Sequence, residues 1–504
     1  MKTYLFYFSS CFNMEFMGEL LDEAVKLSKN TDNKVYFLYC HNINKMCGYN
    51  PGGSAPLCKW CSICTKKVIN KYKSLQVVPI TKFESNVDYE CPQFSNAQDL
   101  MNIKYRNAQI GLGIMSSYIT RTRNMNPRMD NLTHKYFEDH IIQNMHLVDT
   151  IYKAIEEIKP DCIYSYNGRF EENRAIYDIS MSLGIETVMQ EDFTNLKDLK
   201  KYKVAFKNAL PHKIIERSRL FKYCWDHYDL TEVEKRNLGE SFYKKRRGGE
   251  RSGDVKIYVS GQKEGKAPVF DKTKINIAIM NSSEDEYAAV GDEWNNLKLF
   301  KTQYEGIIYL LENSPENYFY YLRIHPNLMN IPYRYHRQLL DLDKRYKNIM
   351  VIPGDSEYST YTIMEKCDKV VGFGSTTCIE ASYWGKPSVL LGPSFFYYDD
   401  VCYVPKTPQE AIVLLGQDLS PKCNDNILKF GAYILDPSPS AIDFDTQYKY
   451  VDFNEHTHKF IKKYTSAPFM DFWGGEKLTA FIIAVMRELL TKRGFKMPID
   501  EADD

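Results

Sequence analysis

Three things are missing from these 504 residues. Net charge is absent: 65 basic and 65 acidic side chains cancel to zero. KKRRGGER at Lys244–Arg251 is the single conspicuous run of one sign. A chain whose main task is general nucleic-acid binding needs a basic surface, so that task is excluded. Long apolar runs are also absent, since none reaches the roughly 18 residues that a membrane span needs. A disulfide framework is missing too. The 13 cysteines are an odd number, scattered singly except in one segment, which fits reduced thiols in a cytosolic enzyme. No internal repeat or low-complexity tract is present.

The N-terminal MKTYLFYFSSCF has the outline of a weak signal peptide or of a lipobox ending at Cys11. Tyr and Ser interrupt its apolar stretch and an amphipathic helix follows at Phe16–Ser28, so it reads as a first β-strand. The expected location is the cytoplasm. Peripheral attachment to the inner membrane stays open through the basic run or a partner. Aromatics are plentiful, with 38 Tyr and 27 Phe. Much of that is compositional drift, though Tyr-rich clefts also suit sugars.

A chain this long exceeds one ordinary core, so two domains are expected. Strands are predicted at Tyr4–Phe8, Val35–Leu38, Leu75–Pro79, Cys162–Tyr166 and Glu186–Met189. Helices are predicted near Leu132–Ile158, Glu172–Leu183 and Pro211–Gly239. A charged, Gly-rich stretch at Lys244–Lys274 reads as the connection. The alternation then restarts. Strands are predicted at Ile275–Met280, Tyr318–Ile324, Ile349–Ile352, Lys369–Gly372 and Ser388–Leu391. Helices are predicted at Trp294–Asn313, Tyr333–Tyr346 and Tyr361–Lys366, with another starting near Thr377. Such alternation means mostly parallel sheets. The expected fold is α/β: two Rossmann-like doubly wound domains, residues 1–255 and 256–475. A C-terminal helix and tail, 476–504, would pack its amphipathic Glu476–Arg493 back on the first domain.

The densest chemistry lies in VVGFGSTTCIEASYWGKPSVLL, Val370–Leu391. It reads as strand, hydroxyl-rich turn, helix, strand. Ser375 and Thr376 on such a turn, with the N–H groups that follow, suit a phosphate. The plain alternative is helix capping, with Thr377 and Glu380 as a capping box. The other reading of Glu380 is a partner for ribose hydroxyls. His325 follows the strand in YLRIHPN, and Arg323 stands two residues earlier on the same strand face. Two cationic donors at one strand's C-terminal edge face the ligand crevice of an α/β sheet. At the exit of Ile275–Met280 lie Asn281, Ser282, Ser283, Glu284, Asp285 and Glu286. Small residues there let a ligand approach the backbone, while Glu284 and Asp285 read as a solvated acidic loop. Gln262–Gly265 in the connection is near enough in sequence to reach the same cleft.

In the first domain, Asn167-Gly168-Arg169 ends a strand, with Glu171 and Glu172 just after it. Glu172 reads as support for a helix N-terminus. Inverting glycosyl transfer needs one carboxylate as general base. Glu191 and Asp192 follow the strand Glu186–Met189, and Glu191 is the favoured base. Cys40, Cys47, Cys58, Cys61 and Cys64 form the one cysteine group. CKWCSIC in a Gly-rich loop carries two overlapping C-x-x-C spacings, which suit a structural zinc or an iron–sulfur cluster. A loop of reduced cysteines is the competing reading.

SSEDE at Ser282–Glu286, RIHPN at Arg323–Asn327 and GSTTCIEASYWGKPSVLLG at Gly374–Gly392, supported by NGRFEENRA at Asn167–Ala175, resemble a known group. It comprises bacterial capsule polysaccharide biosynthesis proteins of GT-B-like fold, related to β-Kdo transferases and more distantly to bacterial sialyltransferases. The resemblance implies that His325, Ser375 and Thr376 contact the donor's phosphate. It implies a glycosyltransferase that uses a nucleotide-sugar donor and a glycan or glycolipid acceptor. No cofactor is required for transfer if His325, Arg323 and the helix start neutralise the leaving phosphate. The cysteine segment is not part of that pattern. Other readings are a polyol-phosphate transferase of the teichoic-acid type, a nucleotide-sugar 2-epimerase and a non-catalytic scaffold.

Overall fold

A computed structural model describes residues 1–9, 14–41, 43, 45–70, 72–84, 87–194, 201–252, 257–437, 439, 448–452, 501 and 502. The chain forms two α/β units, each built on its own sheet. The first unit opens with β1 (Thr3–Phe8), α1 (Met14–Ser28), β2 (Lys34–Tyr39), α2 (Ala55–Ile69) and β3 (Gln76–Pro79). It continues through α3 (Ala97–Met101), α4 (Ile110–Thr122), α5 (Asn131–Ile158), β4 (Cys162–Tyr166), α6 (Glu171–Ser182), β5 (Glu186–Thr194) and β6 (Lys201–Lys207). Two helices, α7 (Ile214–His227) and α8 (Glu232–Arg247), lead away from it.

The second unit runs β7 (Ile275–Met280), α9 (Asp292–Asn296), α10 (Gln303–Asn313), β8 (Tyr318–Arg323), α11 (Arg334–Leu340), α12 (Leu342–Arg345) and β9 (Ile349–Ile352). Then come α13 (Thr360–Lys366), β10 (Lys369–Gly372), α14 (Thr377–Tyr383), β11 (Ser388–Leu390), α15 (Pro408–Gly416) and α16 (Asn426–Leu435). Finally β12 (Tyr448–Asp452) pairs antiparallel with β6, back in the first sheet.

Strand order is β3-β2-β1-β4-β5 with β6 and β12 added antiparallel in the first sheet, and β9-β8-β7-β10-β11 in the second. Both cores follow the doubly wound order whose ligand crevice opens where the order reverses. That point lies beyond β1 and β4 in one sheet and beyond β7 and β10 in the other. The expected pair of Rossmann-like units is what the chain forms.

The period-2 alternation of buried strands explains why both faces of each sheet are covered. Leu5 and Tyr7 of β1 join a core with residues of α4 and α5, while Phe6 and Phe8 join one with residues of α1. Ile277 and Ile279 of β7 pack with α10 and α15, and Ala278 and Met280 with α13.

Several boundaries differ from expectation. The stretch 211–239 is two helices, broken at residues 228–231, and the second runs through the basic run to Arg247. The predicted helices 294–313 and 333–346 each divide into two. The cysteine segment is not a loop: Cys58, Cys61 and Cys64 lie on α2. β5 runs on to Thr194, so Glu191 and Asp192 stand within the strand, held there by pairing with β6. The predicted helix Glu476–Arg493 lies outside the described residues. Among the described residues no helix is long and apolar enough to cross a membrane.

Candidate functional site

The loops at the crevice of the second sheet border two adjoining cavities. A small one, about 70 Å³, is lined by Asn281, Arg323, His325, Thr360, Tyr361 and Glu380 together with Ser252, Tyr258 and Gln262 of the connection. A cleft of about 680 Å³ lies beside it, and its walls come from both units: Arg169, Glu191 and His212 from the first, Ser282, Glu286 and Trp294 from the second. Arg246, Tyr258, His325, Ser375 and Thr376 border both cavities and mark where they meet.

Strand ends build this junction. β10 ends at Gly372, and Gly374 adopts φ +115°. A Cβ there would meet the Pro393 carbonyl oxygen at 2.6 Å, so only glycine fits the turn. Ser375 Oγ lies 2.6 Å from Thr377 Oγ1. Thr376 is the N-cap of α14 without a side-chain capping bond. The expected capping box of Thr377 and Glu380 is therefore not formed. Glu380 instead accepts from Arg246 Nε at 3.0 Å and from the Tyr361 hydroxyl. The carboxylate follows the two stronger donors that the fold places beside it.

β8 delivers His325. Its backbone N–H donates to Asn281 Oδ1 at 2.7 Å, and its Nδ1 accepts from the Asn327 N–H at 3.1 Å. An accepting Nδ1 leaves the proton of the neutral ring on Nε2. Tyr258 packs edge-on against the ring at 5.1 Å. Arg323 borders the small cavity, and its Nη atoms donate to the carbonyls of Pro353, Gly354 and Ser356. Burial pulls it down to about 10, against the opposing pull of Asp355. It ties down the loop after β9.

The β7 exit is not the solvated acidic loop expected. Glu284 and Asp285 are both buried. Asp285 pairs with Arg123 of the first unit, and Arg123 also donates to Ser283 Oγ at 2.5 Å. Glu286 accepts from Asn327 Nδ2 at 3.0 Å. Gln303 clamps Ser282 through both its N–H and its carbonyl. Ser282, Ser283 and Glu286 thus line the cleft while Ser283 and Glu286 hold the two units together.

The facing wall comes from the first unit. Asn167 and Gly168 turn with φ of +58° and +78°, a conformation those two residue types tolerate. The turn points Asn167 Nδ2 at Glu191 Oε2, 2.5 Å away, while the Tyr166 hydroxyl donates to Oε1 at 2.9 Å. Arg169 reaches across to the Glu286 carbonyl at 3.2 Å. Burial pulls the Arg169 guanidinium down, opposed by Glu191. His212 is pushed well below its ordinary value by burial and by Arg169 and Arg217, so it is neutral. Arg169 Nε, His212 Nδ1 and Asn281 Nδ2 are buried and have no hydrogen-bond partner among the described residues. The Asp192 side chain lies outside the described residues.

Of the predicted residues, Arg169, Glu191, Ser282, Ser283, Glu286, His325, Ser375 and Thr376 meet at one cleft, and Arg323, Thr377 and Glu380 border the small cavity. Asn167 acts behind Glu191. Arg246 and Tyr258 escaped the sequence reading because the first sits in a run that looks like a solvated linker. Arg217 and His212 carry no local signal at all.

The cysteines gather elsewhere. Among the described residues no three His, Cys, Asp or Glu side chains stand where they could share a metal ion. Burial pushes the thiols of Cys47 and Cys58 up. The four described thiols of the expected set, Cys40, Cys47, Cys58 and Cys61, do not form a ligand group. The Cys64 side chain lies outside the described residues.

No protein-family model and no curated protein matches the sequence. Among solved structures the chain is similar to KpsC of Thermosulfurimonas dismutans, a β-Kdo 2,4 transferase, at 14% identity over 54% of this chain and 79% of that one, with a TM-score of 0.34. It is similar to a UDP-GlcNAc 2-epimerase of Methanocaldococcus jannaschii at 12% identity, over 86% and 99% of the two chains, with a TM-score of 0.25. The S. aureus MnaA–UDP complex is matched at 11% identity, over 85% and 94%, with a TM-score of 0.24. Likeness at this level says nothing about activity, which is read from the site.

Proposed function

We propose that the protein is a glycosyltransferase that moves a sugar from a nucleotide donor to a glycan or glycolipid acceptor. One observation carries the reading. A small cavity and a larger cleft meet at the turn Gly374–Thr376 and at His325, each at a strand's C-terminal edge. A nucleotide sugar joins two bulky polar parts through a phosphate link. The phosphate lies at the junction, where the small cavity has room for little more than its oxygens and water, and the rest of the donor extends into the cleft. The His325 Nε2–H and the hydroxyls of Ser375 and Thr376 donate to the leaving phosphate, and such aimed donors stabilise charge as it develops.

Glu191, on the facing wall, takes the proton from the acceptor hydroxyl as the new glycosidic bond forms. Asn167 and Tyr166 orient its carboxylate. Cleft size favours transfer over epimerisation, since about 680 Å³ lies within the range that holds a whole drug-sized ligand. That leaves room for an acceptor beside the sugar. A thermal-shift screen of CMP-, UDP-, GDP- and CDP-linked sugars tests the reading, followed by product analysis with a glycan acceptor. Stabilisation by one nucleotide class and acceptor-dependent release of its nucleotide are expected. Interconversion of the donor without an acceptor would replace transfer with epimerisation.

A further inference from the structure

We infer that Arg246, on the last turn of α8, completes the phosphate site and supplies its permanent positive charge. The inference rests on the donor reading above. Five of the described residues border both cavities, and the other four are Tyr258, His325, Ser375 and Thr376. Three are hydroxyl side chains, and the His325 ring accepts at Nδ1 as a neutral imidazole does. With those four alone, a leaving nucleotide would carry its full negative charge into a set of neutral donors.

Arg246 is held for this task. Its side chain is 12% exposed, and its guanidinium lies over the rings of Phe242 and Tyr258. Nε donates to Glu380 at 3.0 Å, and Nη2 reaches Thr376 Oγ1 at 3.3 Å. Glu380 itself is fixed by the Tyr361 hydroxyl. The carboxylate therefore grips one edge of the guanidinium, and the Nη side reaches the residue assigned to the phosphate. A planar fork of N–H donors matches a phosphate's oxygens in a way that an ammonium does not. Burying an ion pair is a poor route to stability, because desolvation offsets the attraction. A binding role accounts for such a pair at the meeting point of two cavities. It also gives the interunit segment a function, since α8, Tyr258 and Gln262 wall the donor site from outside the second sheet.

The test is calorimetric titration of the full chain with matched pairs: cytidine and CMP, uridine and UMP, guanosine and GMP. Wild-type protein is expected to bind one nucleotide well above its nucleoside. Arg246→Gln should weaken that nucleotide at least about tenfold and leave the nucleoside within about twofold. Arg246→Lys should recover part of the loss, and it serves as the test if Arg246→Gln does not fold. Equal weakening of nucleoside and nucleotide would make Arg246 a prop for Glu380 and overturn the inference. Unchanged nucleotide affinity in either variant would overturn it as well. A wild-type chain that binds none of these nucleotides would overturn the donor reading itself, and this inference with it.

Discussion

Asn167 Nδ2 donates to Glu191 Oε2 across 2.5 Å. The bond joins the end of β4 to the middle of β5 and fixes a carboxylate on the cleft wall that the first unit contributes. Glu191→Gln keeps the shape, and the Tyr166 hydroxyl can turn to accept from the new amide. Only basicity is lost. General-base catalysis contributes roughly 10²–10⁴-fold, so turnover should fall by about that much while nucleotide affinity holds. Steady-state kinetics and nucleotide titration on the same preparation check this. Near-normal turnover would move the base to Asp192 or to another group.

Gly374 is the backbone hinge of the junction. Gly374→Ala puts a Cβ 2.6 Å from the Pro393 carbonyl oxygen at a φ of +115°, where both must shift. Strain of this kind costs on the order of 1–3 kcal/mol. Thermal unfolding should show the loss, and nucleotide affinity should fall with it because Ser375 and Thr376 move. A variant with wild-type melting and binding would show that the turn adapts freely.

Glu284 predicts a pH dependence of stability. Burial raises its carboxyl to about 7, against the pull of Lys298 and of the hydrogen bonds from Gln303. The folded state therefore holds a proton that the unfolded state releases from its ordinary value near 4.5 upward. Its contribution is fully present below that value and is lost as pH rises through 7. The loss is on the order of 3 kcal/mol. Glu284→Gln carries no such proton, so the gap between variant and wild type in denaturant unfolding should change between pH 5 and pH 8. Parallel pH profiles for the two proteins would contradict this.

Much of this architecture was legible in the sequence because buried parallel strands are unbroken apolar runs. Cys162–Tyr166, Ile275–Met280, Ile349–Ile352 and Lys369–Gly372 fall where the pattern placed them. The turn Gly374–Thr376 and His325 were legible too, as small or polar residues at strand exits. What long-range contacts decide was not. Glu380 has the spacing of a capping residue, yet Arg246, 134 positions away, takes it. Arg323 has the charge of a phosphate ligand, but the hold of the carbonyls after β9 on its Nη atoms has no local signal. Glu284 and Asp285 look solvated until Arg123 and Gln303 arrive from other elements. CKWCSIC reads as part of a loop from the glycines before it, yet it lies on α2.

Titration of the nucleotide selected by the donor screen into wild-type protein and into His325→Ala tests the central claim most directly. A hydrogen bond to a charged phosphate is worth roughly 1.5–3 kcal/mol. The account predicts affinity weakened at least about tenfold in a variant that stays folded and loses only the stability of the bond from the Asn327 N–H. A folded His325→Ala protein that binds the nucleotide as tightly as the wild type would contradict it.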